Sequence, residues 1–267
     1  MIKVTKDINY VPKSLIPAFP DMFPNGSVHQ TSETTHRRRM EIINNGAYIN
    51  DNNHNDRYKL DDIKEKLRII YNGKCAFCEQ KVEQLHVEHF RPKDTYYWLA
   101  YSWDNLVLSC PACNMHKGVS FELNGVRQFF ENNEENLRNI NNLSAVYDIL
   151  ELPKMVNPEI TEPTSLIIFF KDGRIDSTDR NFKYTITTCK LDRPSLIDER
   201  RKILNIFKSE IRAELVNSRS KEEQTHAIEL LMRQFVRSSI NHSNAYMAFR
   251  KYAIQNHWLN DIIREMN

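Results

Sequence analysis

The 267-residue sequence predicts an α+β fold, mostly helical around a small centre of two strands and a helix. Three observations carry that reading. Two Cys-x-x-Cys pairs, Cys75/Cys78 and Cys110/Cys113, bracket a strand-like segment and run into a helix. Apolar residues recur at helical spacing before them and over most of the chain after Arg180. Far from the cysteines, Asp172-Gly173 separates two short apolar runs, which is the composition of a β-hairpin.

In chain order, residues 1–30 carry prolines at 12, 17, 20 and 24 and little periodicity. Proline fixes φ and removes a donor, so an extended arm lying over the fold is expected. Residues 31–48 form a polar helix that ends near Asn44-Asn45-Gly46, with His36-Arg37-Arg38-Arg39 on a solvated face or at phosphate. Residues 50–55 are a polar loop. Leu60, Ile63, Leu67 and Ile70 share one face of a helix that Asn72-Gly73 ends through a left-handed glycine. Residues 74–125 then read β-β-α. Helix resumes over 126–150, with Phe129, Phe130, Leu137 and Ile140 as core candidates.

Leu166 to Phe170 is a strand candidate opening the hairpin. Pro194 begins a helix whose core face holds Leu196, Ile197, Ile203, Leu204, Phe207 and Ile211. Ser220-Lys-Glu-Glu223 is a capping box for the next helix, with Ile228, Leu231 and Phe235 inward. A last helix runs from Tyr246 to Ile263. The chain thus divides into an arm and helix over 1–58, a cysteine-stapled core over 59–125, and a helical region with one hairpin over 126–267.

Composition narrows the setting. No run of eighteen apolar residues exists, which excludes a membrane-spanning helix. Met1 to Asp7 has no apolar run with a small-residue cleavage site, so a cytoplasmic protein is expected. In a reducing compartment, four of five cysteines in Cys-x-x-Cys pairs argue for metal over disulfides. Two such turns close a tetrahedral site of four thiolates, the chemistry of structural zinc. A thioredoxin-like redox pair fits poorly, because two pairs are present without a βαβ pattern. Cys189 stands alone and reads as a small buried residue. The net charge of +2 and pI of about 8.2 are modest for a self-sufficient nucleic-acid binder.

Between the pairs lie Glu88-His89-Phe90-Arg91-Pro92-Lys93 and Trp103-Asp104-Asn105-Leu106, and Asn114 follows Cys113 with Lys117 three positions on. This order resembles the HNH, or ββα-metal, endonucleases in their zinc-binding form: Cys-x-x-Cys, Asp-His-x-x-Pro, Asn-Leu, then Cys-x-x-Cys-(His/Asn)-x-x-Lys. The resemblance implies that His89 is the general base that takes a proton from water. It implies that Asn105 holds the histidine loop and that Glu88 and Asn114 offer oxygens to a magnesium or manganese ion. The sequence departs from the pattern at Glu88, where Asp or His is usual. The added methylene shifts the carboxylate by about 1.5 Å and leaves the choice between the two cations open. Arg91, Lys93 and Lys117 are near enough in sequence to contact phosphate, or to lie on a solvated surface. His86 and His116 match no motif position and are expected to be local hydrogen-bonders, with substrate contact as the alternative.

A narrower resemblance reaches further. The Glu88–Lys93 and Trp103–Leu106 segments are similar to PtuB-type HNH proteins of Septu and retron anti-phage systems. So are Asn157-Pro158, Leu166–Phe170, Asp172–Ile175, Thr185-Ile186, Leu191-Asp192 and Arg200. It implies a defence nuclease controlled by a PtuA-like ABC-type ATPase, with a retron RNA–DNA as a further partner through that complex. The carboxy-terminal helices would then be scaffold and docking surface. Two alternatives stand beside it: a zinc-ribbon adaptor without catalysis, and a free-standing restriction-type nuclease. The motif addresses phosphate rather than bases, so DNA and RNA are equally open to it.

Overall fold

A computed structural model of the chain describes residues 1–218 and 220–266. The order is α1 (Gln30–Asn45), α2 (Asn52–Asn55), α3 (Asp61–Ile70), β1 (His86–His89), β2 (Leu106–Ser109), α4 (Pro111–Lys117), α5 (Glu134–Arg138), α6 (Leu143–Glu151), β3 (Ile168–Phe169), β4 (Ile175–Asp176), α7 (Arg180–Thr188), α8 (Pro194–Asn217), α9 (Lys221–Ile240), α10 (Met247–Gln255) and α11 (Trp258–Met266). It is a mostly helical α+β chain, and no helix among the described residues is long and apolar enough to cross a membrane.

The centre is β1, β2 and α4. The strands pair antiparallel with Val87 opposite Leu108, Glu88 opposite Val107 and His89 opposite Leu106. Every residue of β2 is buried, and Trp103, Leu106 and Val107 are wholly enclosed. The first Cys-x-x-Cys turn is sewn to this ribbon where Ala76 N–H donates to Leu108 O at 2.7 Å. Pro111 then sits in the first turn of α4, where its missing N–H costs no hydrogen bond.

The amino-terminal segment lies across the centre as an arm. Lys6 is buried and donates to the carbonyls of Trp103 and Leu106, both at 2.6 Å, while its ammonium stands over the Trp103 ring. Helix α1 ends at Gly46 with φ of 69°, a left-handed C-cap. Its basic cluster divides. Arg37 faces solvent, but Arg39 is buried and donates to Leu15 O and Tyr101 O at 3.0 Å each, so that residue leaves the expected solvated face. The loop expected at 50–55 contains α2, capped by Asp51.

Helix over 126–150 is the largest departure. Residues 126–133 run without helix, and only α5 and α6 form, each opened by asparagine at its N-cap position. Leu137 and Ile140 are buried as expected, Phe130 is partly so, and Phe129 is exposed. Asparagine competes for backbone hydrogen bonds and favours caps over helix interiors, which interrupts a segment this rich in it.

In the distal half, β3 and β4 form the expected hairpin, with Gly173 at φ of 92°. A Cβ there would meet Ile197 O at 2.1 Å, so the turn can seat on α8 only as glycine. Helix α9 carries the reciprocal Ser220–Glu223 capping box. The last helix breaks in two at His257, whose φ of 57° ends one turn and starts the next.

Candidate active site and metal centre

The four thiolates come together first. Sγ atoms of Cys75, Cys78, Cys110 and Cys113 all lie within 4.8 Å of one another and all four residues are buried. Cys78 Sγ and Cys110 Sγ are 3.8 Å apart. A tetrahedron with metal–sulfur bonds near 2.3 Å has edges of about 3.8 Å, so the spacing fits a zinc ion held by four thiolates. Four protein ligands would leave no open position on such an ion, the arrangement of a structural site. Cys110 also accepts from Cys113 N–H at 3.4 Å as the N-cap of α4, so one residue ligates and caps. Cys189 is buried at the end of α7 and outside the cluster.

His89 ends β1. Its Nε2–H can donate to Ala100 O at 2.9 Å, and its ring packs edge-on against Tyr58 with centroids 4.5 Å apart. Nδ1 has no partner among the described residues, yet it is not among their sealed, unsatisfied buried atoms. The tautomer held by Ala100 therefore leaves a basic lone pair in reach of water. Burial pushes the imidazole down to about 3, against the raising effect of the Ala100 carbonyl and with help from the charges of Lys93, Lys117 and Lys59. A histidine in that environment is neutral at pH 7.

Asn105 is the clamp on the histidine's loop. Its Oδ1 accepts from Arg91 N–H at 2.7 Å, and its Nδ2 donates to Arg91 O at 3.0 Å and Leu99 O at 3.2 Å. Its own carbonyl accepts from Phe90 N–H at 2.8 Å. The enclosed side chain thus grips Arg91 through both of its backbone groups and ties that loop to Leu99, while the Asn105 backbone holds Phe90.

Helix α4 lies against β1 and brings two residues one turn apart onto the strand's alternate residues. Asn114 Nδ2 is 3.3 Å from His86 Nδ1, leaving Asn114 Oδ1 as an acceptor. Lys117 Nζ donates to Glu88 Oε1 at 2.8 Å and to His89 O at 2.7 Å. Burial raises the Glu88 carboxyl and Lys117 opposes that rise. One carboxylate oxygen of Glu88 stays outside the ion pair; it and Asn114 Oδ1 are each oxygens of the hard type that magnesium or manganese takes. His86 is the local hydrogen-bonder expected of it. His116 is exposed and makes no side-chain hydrogen bond among the described residues.

Two expected phosphate contacts are corrected. Lys117 is wholly buried and occupied by Glu88 and the His89 carbonyl. Arg91 is equally enclosed: it ion-pairs with Glu151 at 2.8 Å and Asp148 at 2.5 Å and donates to Ser144 Oγ at 2.8 Å. Glu151 also accepts from Tyr96 OH and Gln128 N–H, so it is the hub of an enclosed polar network. Arg91→Met should cost about 3–5 kcal/mol in urea unfolding, because it strands a buried carboxylate. A surface phosphate contact would move stability by no more than about 0.5 kcal/mol.

Lys93 is different. It is half-buried, its ammonium stands 3.5 Å from the Tyr48 ring centroid, and among the described residues no carboxylate lies within ion-pair distance of it. Two residues near His89 carried no motif signal, Tyr58 and the exposed Lys59, whose ammonium lies 5.3 Å from the Tyr58 ring centroid. They precede α3 by position alone, and only the packing of α3 against the strands puts them beside the histidine.

A family model described as HNH endonuclease matches residues 75–120, the span from the first cysteine past α4. The chain is 30% identical over 165 residues to Septu protein PtuB of Bacillus mycoides (strain KBAB4), covering 55% of this chain and 52% of that protein. It is 44% identical over 61 residues to Septu protein PtuB of Bacillus thuringiensis, covering 21% of this chain and 24% of that one. In the longer match the chain spans about half the length of its relative. Residues 75–120 thus match the HNH endonuclease family, and about half of the chain is similar to Septu PtuB proteins.

Proposed function

We propose that the chain is a metal-dependent nuclease that hydrolyses phosphodiester bonds, with His89 as general base. The observation that carries the reading is the His89 ring fixed through Nε2 to Ala100 O while Nδ1 is left unpaired. Hydrolysis needs a base to take a proton from the attacking water, and a neutral imidazole on a rigid strand end meets that need. Asn105 keeps the loop behind it from shifting. Tyr58 restricts rotation of the ring, and Lys93 and Lys59 place positive charge where a phosphate would approach. A divalent cation held by Glu88 and Asn114 would neutralise charge growing on the phosphate and on the leaving oxygen. The four-cysteine site holds the scaffold and takes no part in the reaction.

Similarity to Septu PtuB proteins supports a defence role, with a PtuA-like ATPase as partner and a nucleic acid as substrate. The modest net charge of +2 is consistent with a partner that presents the nucleic acid. The Glu88–Lys117 ion pair favours one rival, an adaptor whose carboxylate is already taken. The test is cleavage of plasmid, single-stranded DNA and tRNA, by the chain alone and co-expressed with such an ATPase. EDTA should abolish cutting and magnesium or manganese should restore it. Glu88→Gln and Asn114→Ala should each raise the cation concentration for half-maximal rate by at least about tenfold. No cutting under any condition, with no cation binding, would establish the adaptor instead.

A further inference from the structure

Arg193 sits on the link between α7 and α8, 80 residues beyond Cys113, and belongs to none of the recognised motifs. Its guanidinium nevertheless points into the thiolate cluster. Nη1 donates to Cys113 Sγ at 3.4 Å, and Nη2 lies 3.7 Å from Cys110 Sγ and 3.8 Å from Cys78 Sγ. Nη1 also donates to Lys190 O at 3.1 Å and Cys189 O at 3.4 Å, so the side chain is braced by its own turn. Among the described residues it has no carboxylate partner within ion-pair distance. The sulfurs are the anions it meets.

A dication with four thiolates carries a net charge of −2, and this cluster is buried. Charge buried without a counter-ion is costly. The fourth thiolate, Cys75, has Ser109 Oγ at 3.8 Å and nothing cationic. A lysine could approach one sulfur at a time. The planar, five-donor guanidinium can serve three at once.

We infer that Arg193 is an outer member of the metal centre, a charge-compensating cap through which the carboxy-terminal helices help retain the zinc ion. The inference rests on the zinc reading of the cluster, and measuring zinc in the wild-type protein separates the two. Protein that never holds zinc sinks that reading, while zinc indifferent to residue 193 sinks only this one.

The experiment compares full-length wild type with Arg193→Gln, Arg193→Lys and Asp192→Ala, the last an exposed neighbour on the same link. Zinc release to a chromogenic chelator should be about 10- to 100-fold faster in Arg193→Gln and intermediate in Arg193→Lys. Asp192→Ala should match wild type. In cobalt-substituted protein the thiolate-to-metal charge-transfer band should move to lower energy in both Arg193 variants, because sulfur loses N–H donors. Loosened packing alone would speed release without moving that band. If Arg193→Gln does not fold, Arg193→Lys decides. Wild-type release and an unmoved band, or equal acceleration in Asp192→Ala, would overturn the assignment.

Discussion

His89→Ala should lower the cleavage rate by about 10²–10⁴-fold, the usual worth of a positioned general base. Zinc content and far-UV circular dichroism should be unchanged. The side chain makes one hydrogen bond, to Ala100 O, and takes no part in the thiolate cluster. Wild-type cutting by His89→Ala would remove the base assignment and with it the proposed mechanism. The environment of the ring adds a sign that can be checked. Its folded-state value, about 3, lies below the unfolded value near 6.5. The unfolded chain therefore binds the proton first. The neutral buried imidazole contributes stability that is fully present above pH 6.5 and is lost as pH falls toward 3. On the rate, the same depression means that protonation of His89 should not slow cutting between pH 8 and 6. A rate that falls with an ordinary histidine midpoint near 6.5 would place the base elsewhere.

Cys110→Ser should lose the zinc ion and most of the folded core together. Structural zinc in isolated finger peptides supplies roughly 10–16 kcal/mol of apparent binding energy, comparable to the whole stability of a typical domain. Here the cluster joins the first knuckle turn, the end of β2, the start of α4 and, through Arg193, the start of α8. The substitution also weakens the α4 cap that Cys113 N–H makes with Cys110 Sγ. Helix α4 carries Asn114 and Lys117, so nuclease activity should vanish though neither residue is altered. Metal analysis, near-UV circular dichroism and a thermal scan read the three losses. A Cys110→Ser protein with native melting temperature and activity would show that the cluster is dispensable. The contrast with His89→Ala separates the two parts of the centre: one substitution removes chemistry and keeps metal, the other removes both.

Much of the centre was legible because its signals are short-range. Cys-x-x-Cys fixes two thiolates on one turn, and the order of knuckle, Glu88-His89, Asn105 and second knuckle fixes β-β-α. Gly46, Gly173 and the Ser220–Glu223 box mark ends and turns through backbone preferences that need no distant partner. Where local signals conflict, the fold departs from what apolar spacing alone favours. The asparagines around 132–142 broke a helix that apolar spacing favoured, and Phe129 went to the surface with it.

The basic side chains show most clearly what lay beyond sequence. Arg91, Lys93 and Lys117 are equivalent in a linear reading: cationic and close to the motif. Tertiary structure gives them three different environments. Arg91 meets carboxylates 57 and 60 residues away, Lys117 meets Glu88 29 residues back, and Lys93 is left over an aromatic ring. Arg193, 80 residues from Cys113, was invisible as part of the metal centre. By itself the sequence determined that two Cys-x-x-Cys turns and the Glu88-His89 pair stand on a β-β-α centre, because turn geometry and backbone periodicity are local properties. Only the tertiary structure decided which charges are neutralised and which remain open to a ligand. That depends on what the chain brings within a few ångströms from far along its length, and in a buried site an unpaired charge is too costly to be left to chance.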